Sequence, residues 1–363
     1  MKRIGELVPR DTQTPSADAE HADAPVKRSR RALERALGAV DISERIEEEQ
    51  LRRQRTEALA FGRAIALAGL PYRKTKQREI TREIRLGRDM WVQVTYRAIH
   101  ESPLPYGEDR FVLTGIQHLA LQQGSPIVSF DEAGELLRLF GLDAGGSGYQ
   151  RLRERLKRLR GLSVDIRTRS EDLPSDNGWD AHIVNAHHLP TRKQMKAQAK
   201  DAEIGQLMLP GAAGPYFVKI GEDWWKYLQG GGRNLLLVRL DLLRQFVNRP
   251  AGWDYLCFLA HRCGSAETES VVPHNVLMSL FKRGKEPDRN TIGRLKRYHD
   301  EIMIATDNRL SASLEPVGTE KRKGPGQPKK LWGLKVGPSD PLISSGRNIL
   351  EIAPLDDTGL DAG

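Results

Sequence analysis

Cysteine is nearly absent. The 363 residues hold only Cys257 and Cys263. They stand six apart in LCFLAHRC, a spacing that puts them on different faces of a helix. No local disulfide is expected, and two thiols without further ligands make no zinc site. Aromatic residues are also few, at 6%. Long apolar runs are missing: nothing approaches the roughly 20 residues of a membrane helix. The N-terminal MKRIGELVPRDTQTPSADAEHADAP lacks the apolar centre of a secretory leader. A cytoplasmic protein with reduced, buried thiols and no membrane partner is expected.

Signatures of catalysis are missing too. KRGKEPD lacks the glycine lead-in of an ATP-binding loop and the hydroxyl residue after its lysine. No Ser/His/Asp or paired-carboxylate pattern stands out. His182, His187 and His188 in HIVNAHHL invite a metal-dependent nuclease reading. Adjacent strand residues point to opposite faces, however, so His187 and His188 read better as polar strand residues. No enzyme, cofactor or metal site is expected.

What the chain does have is positive charge, unevenly placed. The formal charge is +9, with 57 basic and 48 acidic residues. Clustered positive charge attracts polyanions. The length suits two domains of ordinary size. Residues 1–28 are rich in Pro, Ala, Asp and Thr without periodicity and read as a disordered tail. Residues 29–69 read as a helical arm, with Ser43 as N-cap and a ragged apolar stripe through Ile46, Leu51, Ala58, Leu59 and Ile65. A basic segment follows, with Arg73, Lys74, Lys76, Arg78, Arg82, Arg85 and Arg88. Asp89–Ile99 alternates and reads as a strand.

Residues 70–230 and 231–337 each read as a winged helix. In the first, the helix Arg110–Gln122 leads to a short strand at Ser125–Phe130 and a helix capped by Asp131. The glycine-rich DAGGSG then opens the basic helix Tyr149–Gly161. Val164–Arg169 and His182–His187 read as the wing hairpin, joined by the polar loop SEDLPSDNGWD. A charged excursion, TRKQMKAQAKDAE, precedes a strand and a short aromatic helix. The tract QGGGR marks the boundary. In the second, Arg239–Val247 and Trp253–Arg262 read as helices, Ser270–Val272 as extended and PHNVLMSLF as a helix. The basic helix Arg289–Ile302 and the wing strands Leu310–Val317 and Leu331–Val336 follow. Residues 338–363 read as a flexible tail. The expected fold is α+β, mostly helical, with two tandem winged helices, a helical arm and disordered tails.

The two basic helices carry the functional reading. In the first, Tyr149, Leu152, Leu156 and Leu159 make one narrow apolar face. Arg151, Arg155 and Arg158 flank it on one side, and Arg153, Lys157 and Arg160 on the other. Like charges this dense repel one another, and an anionic partner relieves the cost. This helix reads as a phosphate clamp. In the second, Ile292, Leu295, Ile302 and His299 make the apolar face. Arg289, Asn290, Thr291, Arg294, Lys296 and Arg297 point elsewhere. An N-terminal turn with Arg, Asn and Thr suits base reading. The tip GTEKRKGPGQPKK adds Lys321, Arg322, Lys323, Lys329 and Lys330, a basic wing for phosphates or a minor groove.

The stretch LPYGEDRFVLTGIQHLA, followed by FDEAGELLRLFGLDAGGSGYQRLRERLKRL, resembles the plasmid-encoded RepA replication initiators. The resemblance rests on Leu104, Pro105, Tyr106, Gly107, Gly145, Gly146, Arg151, Leu152, Arg155 and Leu159, and covers about residues 70–190. TREIRLGR is also similar to the family. The second half resembles the second winged helix of the broader RepA/TrfA type, with weaker motifs. The resemblance implies an initiator that binds repeated duplex sites (iterons) in a bacterial plasmid origin. It further implies help in opening the adjacent duplex, recruitment of host helicase and initiator proteins, and homodimers. The alternatives are a sequence-specific repressor with no role in initiation and, third, a metal-dependent nuclease.

Overall fold

The computed structural model describes residues 58–85, 90–99, 101–132, 134–170, 173–190, 216–231, 234–282, 284–320 and 328–339. The expected N-terminal tail, most of the arm, the charged excursion, Lys321, Arg322, Lys323 and all but the first two residues of the C-terminal tail lie outside them.

The chain opens with β1 (Ala58–Gly62), α1 (Arg63–Ala68), β2 (Glu79–Arg85) and β3 (Met90–Ala98). Next come α2 (Asp109–Gln123), β4 (Ile127–Phe130), α3 (Glu135–Leu139) and α4 (Gly146–Arg160). These lead to β5 (Leu162–Ser170), β6 (Leu173–His182), β7 (Val184–His188), β8 (Tyr216–Ile220) and α5 (Glu222–Gln229). The second half begins with β9 (Leu235–Arg239), α6 (Leu240–Gln245), α7 (Pro250–Ser265), β10 (Ser270–Val272) and α8 (His274–Phe281). It ends with α9 (Asp288–Ala305), β11 (Ala312–Glu320) and β12 (Lys329–Val336).

Two winged helices emerge, and their topologies match. The first runs α2, β4, α3, α4, β7, β8, with sheet order β4-β8-β7. The second runs α7, β10, α8, α9, β11, β12, with sheet order β10-β12-β11. In both, the last strand enters between the other two, and the third helix leads toward the wing. The fold is α+β, as expected.

The first wing, however, is not the hairpin expected from the sequence. β5 and β6 do pair with each other, but they join β2 and β3 in a four-stranded sheet, β2-β3-β5-β6. β5 is matched to β3 from Met90↔Ser170 to Ala98↔Leu162. Val92, Val94 and Tyr96 share their buried face with Val164 and Ile166. The supposed loop SEDLPSDNGWD belongs largely to β6, and His182–His187 is split between the end of β6 and β7. The wing strands are β7 and β8, paired from Val184↔Ile220 to His188↔Phe217. The charged excursion therefore falls between the wing strands.

The expected arm needs a second correction. Residues 58–62 form a strand, not helix. Leu59 and Phe61 are buried, and β1 lies antiparallel to β9 with Ala60 opposite Leu237. A short apolar run fits either period, and a tertiary partner decides it. Each paired strand is followed by a short helix, so β1 and β9 join the two halves at corresponding places.

The described residues form one compact unit with a continuous core. The QGGGR tract, expected as a domain boundary, connects α5 to β9 inside that unit. Phe140, just after α3, meets Trp253 of α7 with ring centroids 5.7 Å apart. Cys257 and Cys263 are buried and unpaired. Gly148 and Gly69 are among the glycines demanded by close approach. A Cβ on Gly148 would lie 2.3 Å from the Asp143 carbonyl oxygen, against the turn before α4. Gly69 has φ +65°, and a Cβ there would lie 2.6 Å from Asp254 Oδ2.

His118 of α2 ties to the strand that joins the halves. Its Nδ1 accepts the Ala60 N–H at 3.3 Å, which requires a neutral ring. Burial lowers its pKa from 6.5 to about 4. The folded value is depressed, so the stabilisation is present above about pH 6.5 and is lost as pH falls toward 4. His187 and His261 are depressed in the same sense. Urea midpoints should fall between about pH 7 and about pH 5, and His118→Gln should flatten part of that fall. An unchanged pH profile in the variant would refute the role.

Candidate nucleic-acid interface

The third helix of the first winged helix, α4, buries Leu152, Leu156 and Leu159 as its pattern requires. Tyr149 is partly buried, and its hydroxyl donates to the Pro190 carbonyl at 2.7 Å, tying the helix to the base of the wing. The structure corrects the charge reading on one flank. Arg155 is buried, and Arg158 has only 16% of its side chain exposed. Arg158 donates twice to Asp109, through Nε and Nη2, each at 2.7 Å. Arg155 pairs with Glu108, and its Nε lies 3.7 Å from Asp109 Oδ1. The Arg155 guanidinium covers the Phe111 ring and that of Arg158 covers Tyr106, both at 4.8 Å. Burial pulls the Arg155 pKa down, against the pull of Glu108 and Asp109. These two arginines are struts between α4 and the start of α2, not outward phosphate ligands.

That packing gives a physical reason for the Leu-Pro-Tyr-Gly-Glu-Asp motif. Leu104 is fully buried. Gly107 adopts φ +56°, its N–H donates to the Pro71 carbonyl at 2.8 Å, and its carbonyl accepts from Arg110. The turn delivers Glu108 and Asp109 to the arginines of α4. The motif and the Arg/Leu-rich helix are two sides of one contact.

Arg151, Lys157 and Arg160 remain exposed and Arg153 is half-buried. Lys157 pairs with Glu154 on its own helix at 3.0 Å. Beside them on β7 sits His187, whose pKa is lowered to about 4, chiefly by burial and then by Arg160, Arg153 and Lys157. His188 stacks on Phe217 with centroids 5.6 Å apart. His182 is exposed. Among the described residues, no group of three or more His, Cys, Asp or Glu is placed to hold a metal ion.

The third helix of the second winged helix, α9, buries Ile292, Leu295, His299 and Ile302, and Tyr298 with them. The Tyr255 hydroxyl and His299 Nδ1 lie 3.1 Å apart. Here too the charge reading needs correction. Thr291 is fully buried and donates to Glu286 Oε1 at 2.7 Å. Arg294 donates to both Glu286 oxygens, at 2.7 and 3.0 Å, and to the Phe281 carbonyl at 2.8 Å. Both residues hold the turn between α8 and α9 rather than facing a groove. Lys296 lies over the Trp332 ring of β12, with Nζ 3.5 Å from its centroid, and so braces wing against helix.

What α9 presents outward is Arg289, Asn290 and Arg297, all exposed, around Gly293, which has open space before it. On the wing, β11 and β12 pair to Glu320↔Lys329, and the Lys330 side chain is exposed. Sequence reasoning missed the acids, Glu108, Asp109 and Glu286, that decide which cations are free. The first two carry a signal, since they directly follow the Leu-Pro-Tyr-Gly segment.

No protein-family model matches the chain, and no curated protein sequence does. Two solved structures are similar in arrangement. A crystal structure of domains 2 and 3 of RctB, as the selenomethionine derivative, superposes with a TM-score of 0.46 at 12% identity, covering 76% of this chain and 97% of that one. A second structure of RctB domains 2–3 gives a TM-score of 0.42 at 11% identity with the same coverage.

Proposed function

We propose that the chain is a replication initiator that binds duplex DNA sequence-specifically through two winged helices. The carrying observation is the repeated topology, with a recognition helix in each half that keeps a set of outward cations after internal pairing. In a winged helix the third helix enters the major groove and the wing contacts the flanking backbone. The Leu-Pro-Tyr-Gly segment and the Arg/Leu-rich helix resemble those of the RepA-type initiators. On that reading the sites are iterons of a plasmid origin, and the protein works in the bacterial cytoplasm with host helicase and initiator proteins, in part as a homodimer. No reaction and no cofactor is assigned to it. Among the described residues, no helix is long and apolar enough to cross a membrane.

Selection from random-sequence duplex DNA should enrich a discrete site. Five outward cations that form no ion pair among the described residues (Arg151, Arg153, Arg160, Arg289 and Arg297) set the least salt response expected. If each neutralises one phosphate, log K against log salt has a slope of about −4.5 or steeper. No enriched site, together with a slope near zero, would overturn DNA binding. A repressor is separated by a maintenance assay: the chain supplied in trans must sustain a plasmid that carries the cognate origin.

A further inference from the structure

One basic element plays no part in the two recognition helices: the loop from Tyr72 to Arg78. Its base is held tightly. The Leu70 carbonyl accepts from Arg110 Nη2 at 2.6 Å, and the Arg110 guanidinium lies 5.5 Å from the Tyr72 ring centroid. Its far end is held by Arg78, which donates to the Ala98 carbonyl at 2.9 Å. Between these anchors Arg73, Lys74 and Lys76 are exposed.

The loop edges a cleft of about 950 Å³. One wall is α4, with Arg151. Another is the α6–α7 connection, with Asn248 and Pro250. That connection is fixed to the other recognition helix, because Arg249 pairs with Glu301 of α9 at 2.6 Å. The cleft is thus walled by α4 on one side and, on another, by the connection whose Arg249 is bound to α9. Its acids are already committed: Glu108 and Asp109 to Arg155 and Arg158, and Glu154 to Lys157. Among the described residues, Arg73, Lys74 and Arg151 form no ion pair. A floor of neutralised acids under a rim of cations without ion pairs suits a polyanion rather than a cationic or apolar ligand.

We infer that this cleft seats the duplex backbone between the segments contacted by α4 and by α9, with Arg73 and Lys74 as phosphate ligands. The inference rests on the DNA-binding reading and adds a third, sequence-independent contact to it. It is tested on a duplex recovered by selection with the wild-type chain. Arg73→Ala/Lys74→Ala should reduce the magnitude of the salt slope by about 1.8, at 0.9 per phosphate, with sequence preference unchanged. Hydroxyl-radical footprints should lose protection between the two contacted segments. Arg73→Gln/Lys74→Gln should behave alike, which keeps the test free of helix or loop propensity. Lys226→Ala, on α5 outside the cleft, is the control and should leave the slope alone. A double variant with wild-type slope and footprint overturns the cleft assignment while DNA binding stands. A wild-type chain that binds no duplex overturns both.

Discussion

Arg110→Ala will cost the folded chain about 3–5 kcal/mol, read as a lower urea midpoint at unchanged slope. Arg110 on α2 meets Asp254 on α7 through two parallel contacts, Nε to Oδ1 at 2.9 Å and Nη2 to Oδ2 at 3.0 Å. Only 6% and 10% of the two side chains are exposed. Burial drives the Asp254 pKa up, and Arg110 opposes it. Without the guanidinium, Asp254 is a buried charge with its main partner gone, and the Leu70 and Gly107 carbonyls lose their donor as well. A raised folded pKa gives a sign: the variant regains stability as pH falls and Asp254 takes up a proton. Replacing both residues with leucine should recover much of the loss, because two matched apolar groups avoid desolvating a charge. A loss under about 1 kcal/mol would mean that the pair does not clamp the two halves.

The second winged helix was legible almost element by element because it is built from local pieces in unbroken order. Its helix periods, the SVV strand and the basic hairpin follow one another without interruption. The first was legible only up to α4. There the chain leaves the winged helix, adds β5 and β6 to a sheet begun before it, and returns for the wing. Alternation in Val164–Arg169 shows a strand, but nothing local tells β5 to pair with β3 rather than to form a wing. Ala58–Gly62 failed for a similar reason, since its partner β9 is far along the chain. The site was legible as charge and illegible as exposure. The acids that capture Arg155 and Arg158 come from the start of α2, on another helix. Helical spacing shows that the two arginines share a stripe but not what the stripe faces. Glu286 is only eight residues before Arg294, but it reaches that residue across a turn, outside any helical period.

The partition within α9 makes a sharper test of the recognition surface. Arg297→Ala and Asn290→Ala will each lower discrimination between the selected duplex and a single-base variant by about 1–3 kcal/mol, the scale of one good base contact. Both side chains are exposed on the helix, so melting temperatures should stay near wild type. Arg294→Ala will do the reverse. Its guanidinium bonds Glu286 and the Phe281 carbonyl, with 11% of the side chain exposed against 19% for Glu286. Its loss strands a mostly buried carboxylate and loosens the turn that sets the angle of α9. A stability loss of about 1–3 kcal/mol is expected. Affinity should fall for all sequences together, by the fraction of chain no longer holding α9 in place, while the preference among bases stays. The measurement is a pair of binding isotherms, selected and single-base-variant duplex, beside a thermal melt for each variant. Discrimination lost with Arg294 at unchanged melting temperature would return that residue to the groove and undo the assignment made from its ion pair. The sequence pattern treats Arg294 and Arg297 as equals. Their partners in the fold do not, and the ratio of the two isotherms measures that difference.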